Sequence, residues 1–426
     1  MFAATTVDSS RKIQPWRRLV ASVSCAEQRI SPLGRPWRSR RGIAAAWNAV
    51  HPAMVRLWQS LWYGLLVVSL SQEGFSQDHT RGLGQEIRRI HVGSAVRSLA
   101  WSPDQRHLVA VADRWLMSWD PSNGSTRWKV PYWPYLADNP IAFLEGGSRI
   151  IVHYSKPQTP DDRSNHRYAL TVIDAESGRT IQDVQFDQPG PRSANRALAF
   201  DLSENGRAIA FASGGGGAVI GSDTTSWRET WRILGNRPVN FLVFDDRRDR
   251  LILANTNQGM MQVWHPSSKT RQTEFATYKT GLRKLLLDRR TGHIVTGGDG
   301  ALQPDRGQPG TLRGVEDDPE TLVRAWDPVS GNLIRSYVGP GRNVDGLALS
   351  PDGRYVVAAK SRVLPTRKDA YVLAWDATSG QLLAASNYGQ GVPAALTFSP
   401  DGRRLAISAD GSIHILDLGP QLLPMR

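Results

Sequence analysis

From about residue 85 onward the chain alternates short apolar runs with polar turns, and the alternation repeats over a long period. Each unit reads as an apolar strand, a polar turn, a second strand, and a further apolar strand ending near an aspartate. The clearest turns are Trp101-Ser102-Pro103-Asp104-Gln105-Arg106, Leu349-Ser350-Pro351-Asp352-Gly353-Arg354 and Phe398-Ser399-Pro400-Asp401-Gly402-Arg403, with weaker copies opening at Phe143, Phe200, Phe244 and Leu287. Openings at 101, 143, 200, 244, 287, 349 and 398 stand 42, 57, 44, 43, 62 and 49 residues apart, a unit near 43 with three insertions. In such a turn Pro fixes φ, Asp hydrogen-bonds the backbone ahead, and Gly takes the positive φ that closes a hairpin.

A second anchor closes most units: Trp119-Asp120, Ile173-Asp174, Trp264-His265, Trp326-Asp327, Trp375-Asp376 and Leu416-Asp417. The third unit matches worst, with Val219-Ile220 where the anchor belongs. The last unit supplies three strands, at 394–398, 404–408 and 412–417, and then the chain runs out. Gln85–His91 (QEIRRIH) is an orphan strand ahead of the first unit. Pairing it with the last unit would remove an open sheet edge.

These turns and anchors resemble the WD-repeat family over about 340 of the 426 residues. The resemblance implies an all-β fold, a seven-bladed β-propeller of four-stranded antiparallel blades around a central channel, the ring closed by an N-terminal strand. One departure matters. Family repeats usually carry Gly-His before the first strand, and that histidine joins a buried polar network with the anchor aspartate. Here the matching places read Gly235-Asn236, Gly341-Arg342 and Gly389-Gln390, and only His91 comes near. WD-repeat propellers generally act as scaffolds, so the resemblance also implies a protein or peptide partner.

In this fold the loop between the second and third strands opens on the face opposite the turns. All three insertions fall in that loop: Lys156–Arg167, Asp299–Glu320 and Ser361–Asp369. They read either as a binding face or as drift, because a long surface loop costs only about 0.6 kcal/mol per doubling of length. The segment Pro131-Tyr132-Trp133-Pro134-Tyr135 connects the first two units and opens on the same face. Its rings either offer a flat, partly wet surface to a partner or plug the gap between blades. The candidate partner-binding residues are therefore Tyr132, Trp133, Tyr135, Asp161, Arg163, Arg167, Arg306, Arg313, Asp317, Arg362, Arg367 and Lys368.

Local catalytic motifs are missing: there is no HExxH, no GxSxG, no phosphate loop and no EF-hand spacing. No catalytic or metal-ligating residue is assigned, and no cofactor is expected. The nine histidines are scattered and read as surface or hairpin residues. Gly214–Gly217 lacks the lysine and helix of a phosphate cradle and reads as a tight strand connection. The competing reading is a propeller enzyme or small-ligand binder with a channel-mouth site assembled from several blades, which leaves no local motif.

Charge changes the picture only after it is divided. The formal net charge is +13, but residues 1–53 hold nine basic side chains against two acidic ones, and the remaining 373 hold 43 against 37. No single-sign stripe with interleaved aromatics appears, so nucleic acid is not expected as a partner. The lone Cys25 excludes an internal disulfide framework. Residues 1–53 read as a transit peptide or as sequence upstream of the true start, and the segment beginning at Met54 favours the second. Met54-Val55-Arg56 is a positive n-region, 57–70 is apolar, and Gly74 and Ser76 stand at −3 and −1 of a cleavage before Gln77. The run is shorter than the roughly 20 residues a membrane span needs, so 54–76 reads as a signal peptide and 85–426 as the propeller. A start at Met54 implies export, periplasmic or secreted, with no stable span after cleavage. Otherwise the expectation is cytoplasmic.

Overall fold

The computed structural model describes residues 82–132, 141–157, 166–184, 197–213, 218–234, 239–255, 259–278, 281–299, 303–304, 312–313, 322–363, 368–389, 391 and 393–419. All of them belong to the second of the two units into which the chain divides, Gln77–Arg426. Each turn opener lies at or within two residues of the end of a strand, because the hairpin reverses the chain just after it. Seven four-stranded antiparallel sheets result.

Blade one comprises Val96–Trp101, Leu108–Ala112, Trp115–Trp119 and Thr126–Pro131. Blade two is Ile141–Leu144, Arg149–Pro157, His166–Asp174 and Thr180–Val184. Blade three is Ala197–Leu202, Ala208–Ser213, Ala218–Asp223 and Glu229–Leu234, and blade four is Phe241–Asp245, Arg250–Ala254, Met260–His265 and Thr270–Ala276. Blade five is Leu282–Leu287, Ile294–Gly298, Val323–Trp326 and Leu333–Tyr337. Blade six is Asn343–Leu349, Tyr355–Val363, Lys368–Asp376 and Leu382–Gly389. Blade seven takes Leu396–Phe398, Arg404–Ala409 and Ser412–Asp417 from the end of the chain. Its fourth strand is Gln85–His91, which pairs antiparallel with Ser412–Asp417 in the register Ile90 to Ile413. Leu83, just ahead of that strand, is buried among residues of blades six and seven.

Burial follows position in the blade. Second strands such as Leu108–Ala112 are buried throughout, because neighbouring blades cover both their faces. Outer strands such as Thr126–Pro131 mix exposed and buried positions. Apolar clusters join blades one and two, two and three, three and four, four through six, six and seven, and seven and one. The ring of contacts is thus complete.

The turn chemistry is regular. The Ser102 hydroxyl donates to Asp104 at 2.5 Å and accepts the His107 N–H at 2.9 Å. Ser350 with Asp352 and Ser399 with Asp401 repeat the arrangement at 2.6 and 2.5 Å, and Ser203 with Asn205 at 2.9 Å. Beyond the third strand, Asp120, Asp174, Asp223 and Asp376 accept from a serine two or three residues on. Those serine hydroxyls and backbone N–H groups hold the four carboxyls below the usual carboxylate range.

This regularity corrects the reading of the third unit. Its anchor is Ser222-Asp223 and not Val219-Ile220: Asp223 caps Thr225 and Ser226 as its counterparts do. The pattern is hidden in the sequence because Trp227, at φ 55°, stands where Gly178, Gly331 and Gly380 supply the positive φ elsewhere.

The connections that carry insertions are the second-to-third ones of blades two, five and six. Two of them are shorter than the sequence implies. In blade two the ladder continues to Pro157 and His166, leaving 158–165 as the connection. In blade six it continues to Val363 and Lys368, leaving 364–367. The blade-two hairpin thus runs five residues past the pairing of Ile141 with Val152, about 16 Å at the usual rise of a strand. Inside the blade-five insertion Gln303–Pro304 pairs with Leu312–Arg313. Among the described residues no helix is long and apolar enough to cross a membrane.

Candidate functional site at the channel mouth

First strands are innermost and neighbouring blades cover both their faces, so a residue exposed on one of them looks onto the channel. Toward the turn end, a cavity of about 200 Å³ is lined by first strands of blades two to five, including Ile141, Phe200, Leu242 and Leu286, with Asp201 and Arg289. Arg289, from blade five, crosses to two other blades. Its guanidinium donates to the Leu202 carbonyl at 2.9 Å, to Asp201 at 3.2 Å and to the Phe244 carbonyl at 2.9 Å. Burial pushes the Asp201 carboxyl up, against the pull of Arg289. Both terminal nitrogens of Arg289 and both Asp201 oxygens thus have protein partners.

The loop end differs. The ladder between first and second strands slips by one residue at Val96/Ser98, Leu282/Lys284 and Val344/Gly346. At these three slips the residues left out of register are Arg97, Arg283 and Asp345, while a fourth slip, at Ala197/Ala199 in blade three, leaves out Leu198; a bulge of this kind re-aims a side chain. Two of them meet across blades five and six: Arg283 donates to Asp345 at 2.8 Å. Asp299, at the start of the long blade-five insertion, lies 3.7 Å from the same guanidinium. Burial holds the Asp345 carboxyl above the usual range, opposed by a hydrogen bond from Ser361 and by the charge of Arg283. The second Asp345 oxygen and the side-chain oxygen of Asn343 are enclosed and have no hydrogen-bond partner among the described residues. Arg97 is exposed, and its side chain makes no ion pair or hydrogen bond among the described residues.

Of the residues proposed from sequence, Tyr132 is corrected. It is 1% exposed, packs among blade-one and blade-two residues, and its hydroxyl donates to the His153 carbonyl. It plugs the gap between blades and offers nothing to a partner. Arg167, Arg362 and Lys368 lie in the extended hairpins, and Arg313 in the small ladder. Trp133, Tyr135, Asp161, Arg163, Arg306, Asp317 and Arg367 fall outside the described residues. Sequence reasoning missed Trp115, an exposed indole beside the blade-one hairpin tip with the Lys129 ammonium 4.3 Å over its ring.

The missing histidine network has a substitute. In blade five the Trp326 indole donates to Thr296 at 2.9 Å, and Tyr278, from the connection before the first strand, meets the same hydroxyl at 2.7 Å. Three histidines are also buried, contrary to the surface reading: His107, His153 and His414. His107 stands 3.3 Å from the Ser118 hydroxyl and 3.5 Å from Glu176, a spacing that resembles a serine-based triad. Ser118 is fully buried and His107 nearly so, so no substrate carbonyl reaches that hydroxyl. Their contact is structural. Among the described residues no group of three or more acidic, histidine or cysteine side chains is placed to hold a metal ion.

A family model described as "WD domain, G-beta repeat" matches residues 84–120 and 385–417. The first segment spans the closing strand and the first three strands of blade one, and the second runs from within the outer strand of blade six through the three terminal strands. No curated protein matches the chain.

Proposed function

Because the chain is a WD-repeat β-propeller, we propose that it is a non-catalytic scaffold binding a protein or peptide through its loop-bearing rim. What supports this most is the concentration of added structure there: every insertion sits on a second-to-third connection, and two of these hairpins are lengthened. Exposed Trp115 and the convergent side chains of the channel mouth lie on the same rim. Aromatic and arginine side chains dominate the energetics of protein interfaces. The test is partner capture by the intact chain and by one lacking residues 301–320. Loss of a partner with unchanged thermal stability supports the reading, and an unchanged partner set contradicts it.

The convergence of Arg283, Asp345 and Asp299 favours a second reading, a small-ligand or catalytic site at the channel mouth. A small-molecule substrate screen that Asp345→Asn abolishes would select it over the scaffold. Export follows from a start at Met54 with cleavage before Gln77. N-terminal sequencing of the expressed protein tests that, a mature end near Gln77 supporting it and an intact Met1 rejecting it.

A further inference from the structure

Each innermost strand has one edge open to the channel, and the turn hydrogen bonds fix which of its residues point there. In an antiparallel pair, residues alternate between exchanging both backbone bonds with the partner strand and turning both groups away from it. Ser203 donates its N–H to Ala208 across the blade-three hairpin, and Asp288 donates to His293 across the blade-five hairpin. The alternation then turns Leu202 and Phe200 outward in blade three, and Leu287 and Leu285 in blade five, along stretches where the ladders do not slip. In blade four Phe244 turns outward, since its N–H reaches Asp201 at 2.8 Å and its carbonyl accepts from Arg289. Leu242, two residues back on an unbroken ladder, does the same.

These groups form two levels. Nearer the turns, Asp201 and Arg289 answer the N–H and the carbonyl of both Leu202 and Phe244. One level farther in, Phe200, Leu242 and Leu285 line the cavity of about 200 Å³ and turn three N–H groups and three carbonyls toward it. Among the described residues no side chain or strand across the channel answers these six groups. The other walls, such as Ile141 and Leu286, are apolar. The volume suits a single ring, since an apolar cavity of about 150 Å³ holds benzene.

We propose that this cavity binds a small cyclic amide, a ring whose N–H and C=O stand side by side and pair with one strand edge as a facing residue would. An outward-turned residue offers its N–H and C=O in the same direction, so the cis amide of a lactam, imide or pyrimidinone meets both at once. Ring closure is what selects the ligand, because an open-chain secondary amide is trans and points its two groups apart. The site lies toward the turn end and is independent of the scaffold reading.

The probe is uracil, with 1,3-dimethyluracil as the same ring without donors. Amide exchange resolved by NMR on the intact chain should slow several-fold at Phe200, Leu242 and Leu285 in saturating uracil. Leu99 turns outward at the same level in blade one but lies outside the cavity, so its exchange should not change. Dimethyluracil should bind about ten-fold more weakly, the loss expected when a hydrogen bond is removed and its acceptor left unmet. Leu286→Trp, which fills the cavity, should abolish the protection, and Leu286→Met should keep it. The exchange comparison needs no variant and stands even where Leu286→Trp fails to fold. Unchanged exchange at the three amides, protection confined to other amides, or equal binding of the two rings overturns the proposal.

Discussion

The two rims of the channel are built from the same repeat, yet they treat their polar groups differently. On the turn rim Ser102, Ser350 and Ser399 are each capped by an aspartate, and Arg247 with Glu204, Arg248 with Asp245 and Arg289 with Asp201 are matched pairs. On the loop rim, among the described residues, one oxygen each of Asn343 and Asp345 lacks a donor and the hairpins vary in length. The turn rim is more closely matched but not fully, since the enclosed Trp101 indole nitrogen and Arg127 Nε have no acceptor there among the described residues. Groups that satisfy one another specify a fold, and groups left over are available to something else. The first rim holds the ring together; the second carries the features that differ from blade to blade.

The largest expected effect is acid destabilisation through His153, at the loop side of blade two. Burial lowers its pKa to about 4, so the folded protein resists the proton that the unfolded chain takes up near 6.5. Stability is complete above pH 6.5 and falls as pH drops toward 4, by about 3 kcal/mol for a shift of this size. Urea titrations across that range should show the slope, and His153→Leu should flatten it. Next is Arg289→Ala, which removes a three-blade clasp and leaves Asp201 unpaired. It should cost about 2 kcal/mol in the same assay, reduced from the value for a deeply buried pair because both side chains are partly exposed. Asp352→Ala, which uncaps a turn, should cost about 1 kcal/mol.

Smallest are the loop-rim changes. Removing residues 301–320 should move the urea midpoint by less than the Asp352 change does, since loop length weighs little in stability. Asp345→Asn sharpens the contrast by its sign. A carboxyl whose folded pKa is raised gives stability that is present at low pH and lost as pH rises through that pKa. The amide should therefore raise the thermal midpoint at pH 8 and have no such effect at pH 3. A turn-rim aspartate such as Asp376, whose pKa is lowered, should behave in the opposite sense.

The turns make the fold legible. Pro, Asp and Gly at fixed offsets are local chemistry, and each turn opener falls at or within two residues of the end of an innermost strand. Where one residue breaks the local rule the reading fails, as with Trp227 in place of glycine. Tyr132 is misread from sequence because an aromatic beside prolines looks alike whether it fills a crevice or faces water; burial between blades decides it. The channel-mouth group is out of reach altogether. Arg283 and Asp345 are 62 residues apart and meet only because bulges in adjacent blades bring both into the mouth. Trp115 gives no signal in sequence, since among the described residues most indoles are core or anchor residues.

Hydrogen exchange of the protein alone and in complex with its captured partner tests the loop-rim assignment most directly. Protection is predicted at 113–115, 281–284 and 341–345, with the turns at 102–106, 350–354 and 399–403 unchanged. Protection confined to those turns would contradict it.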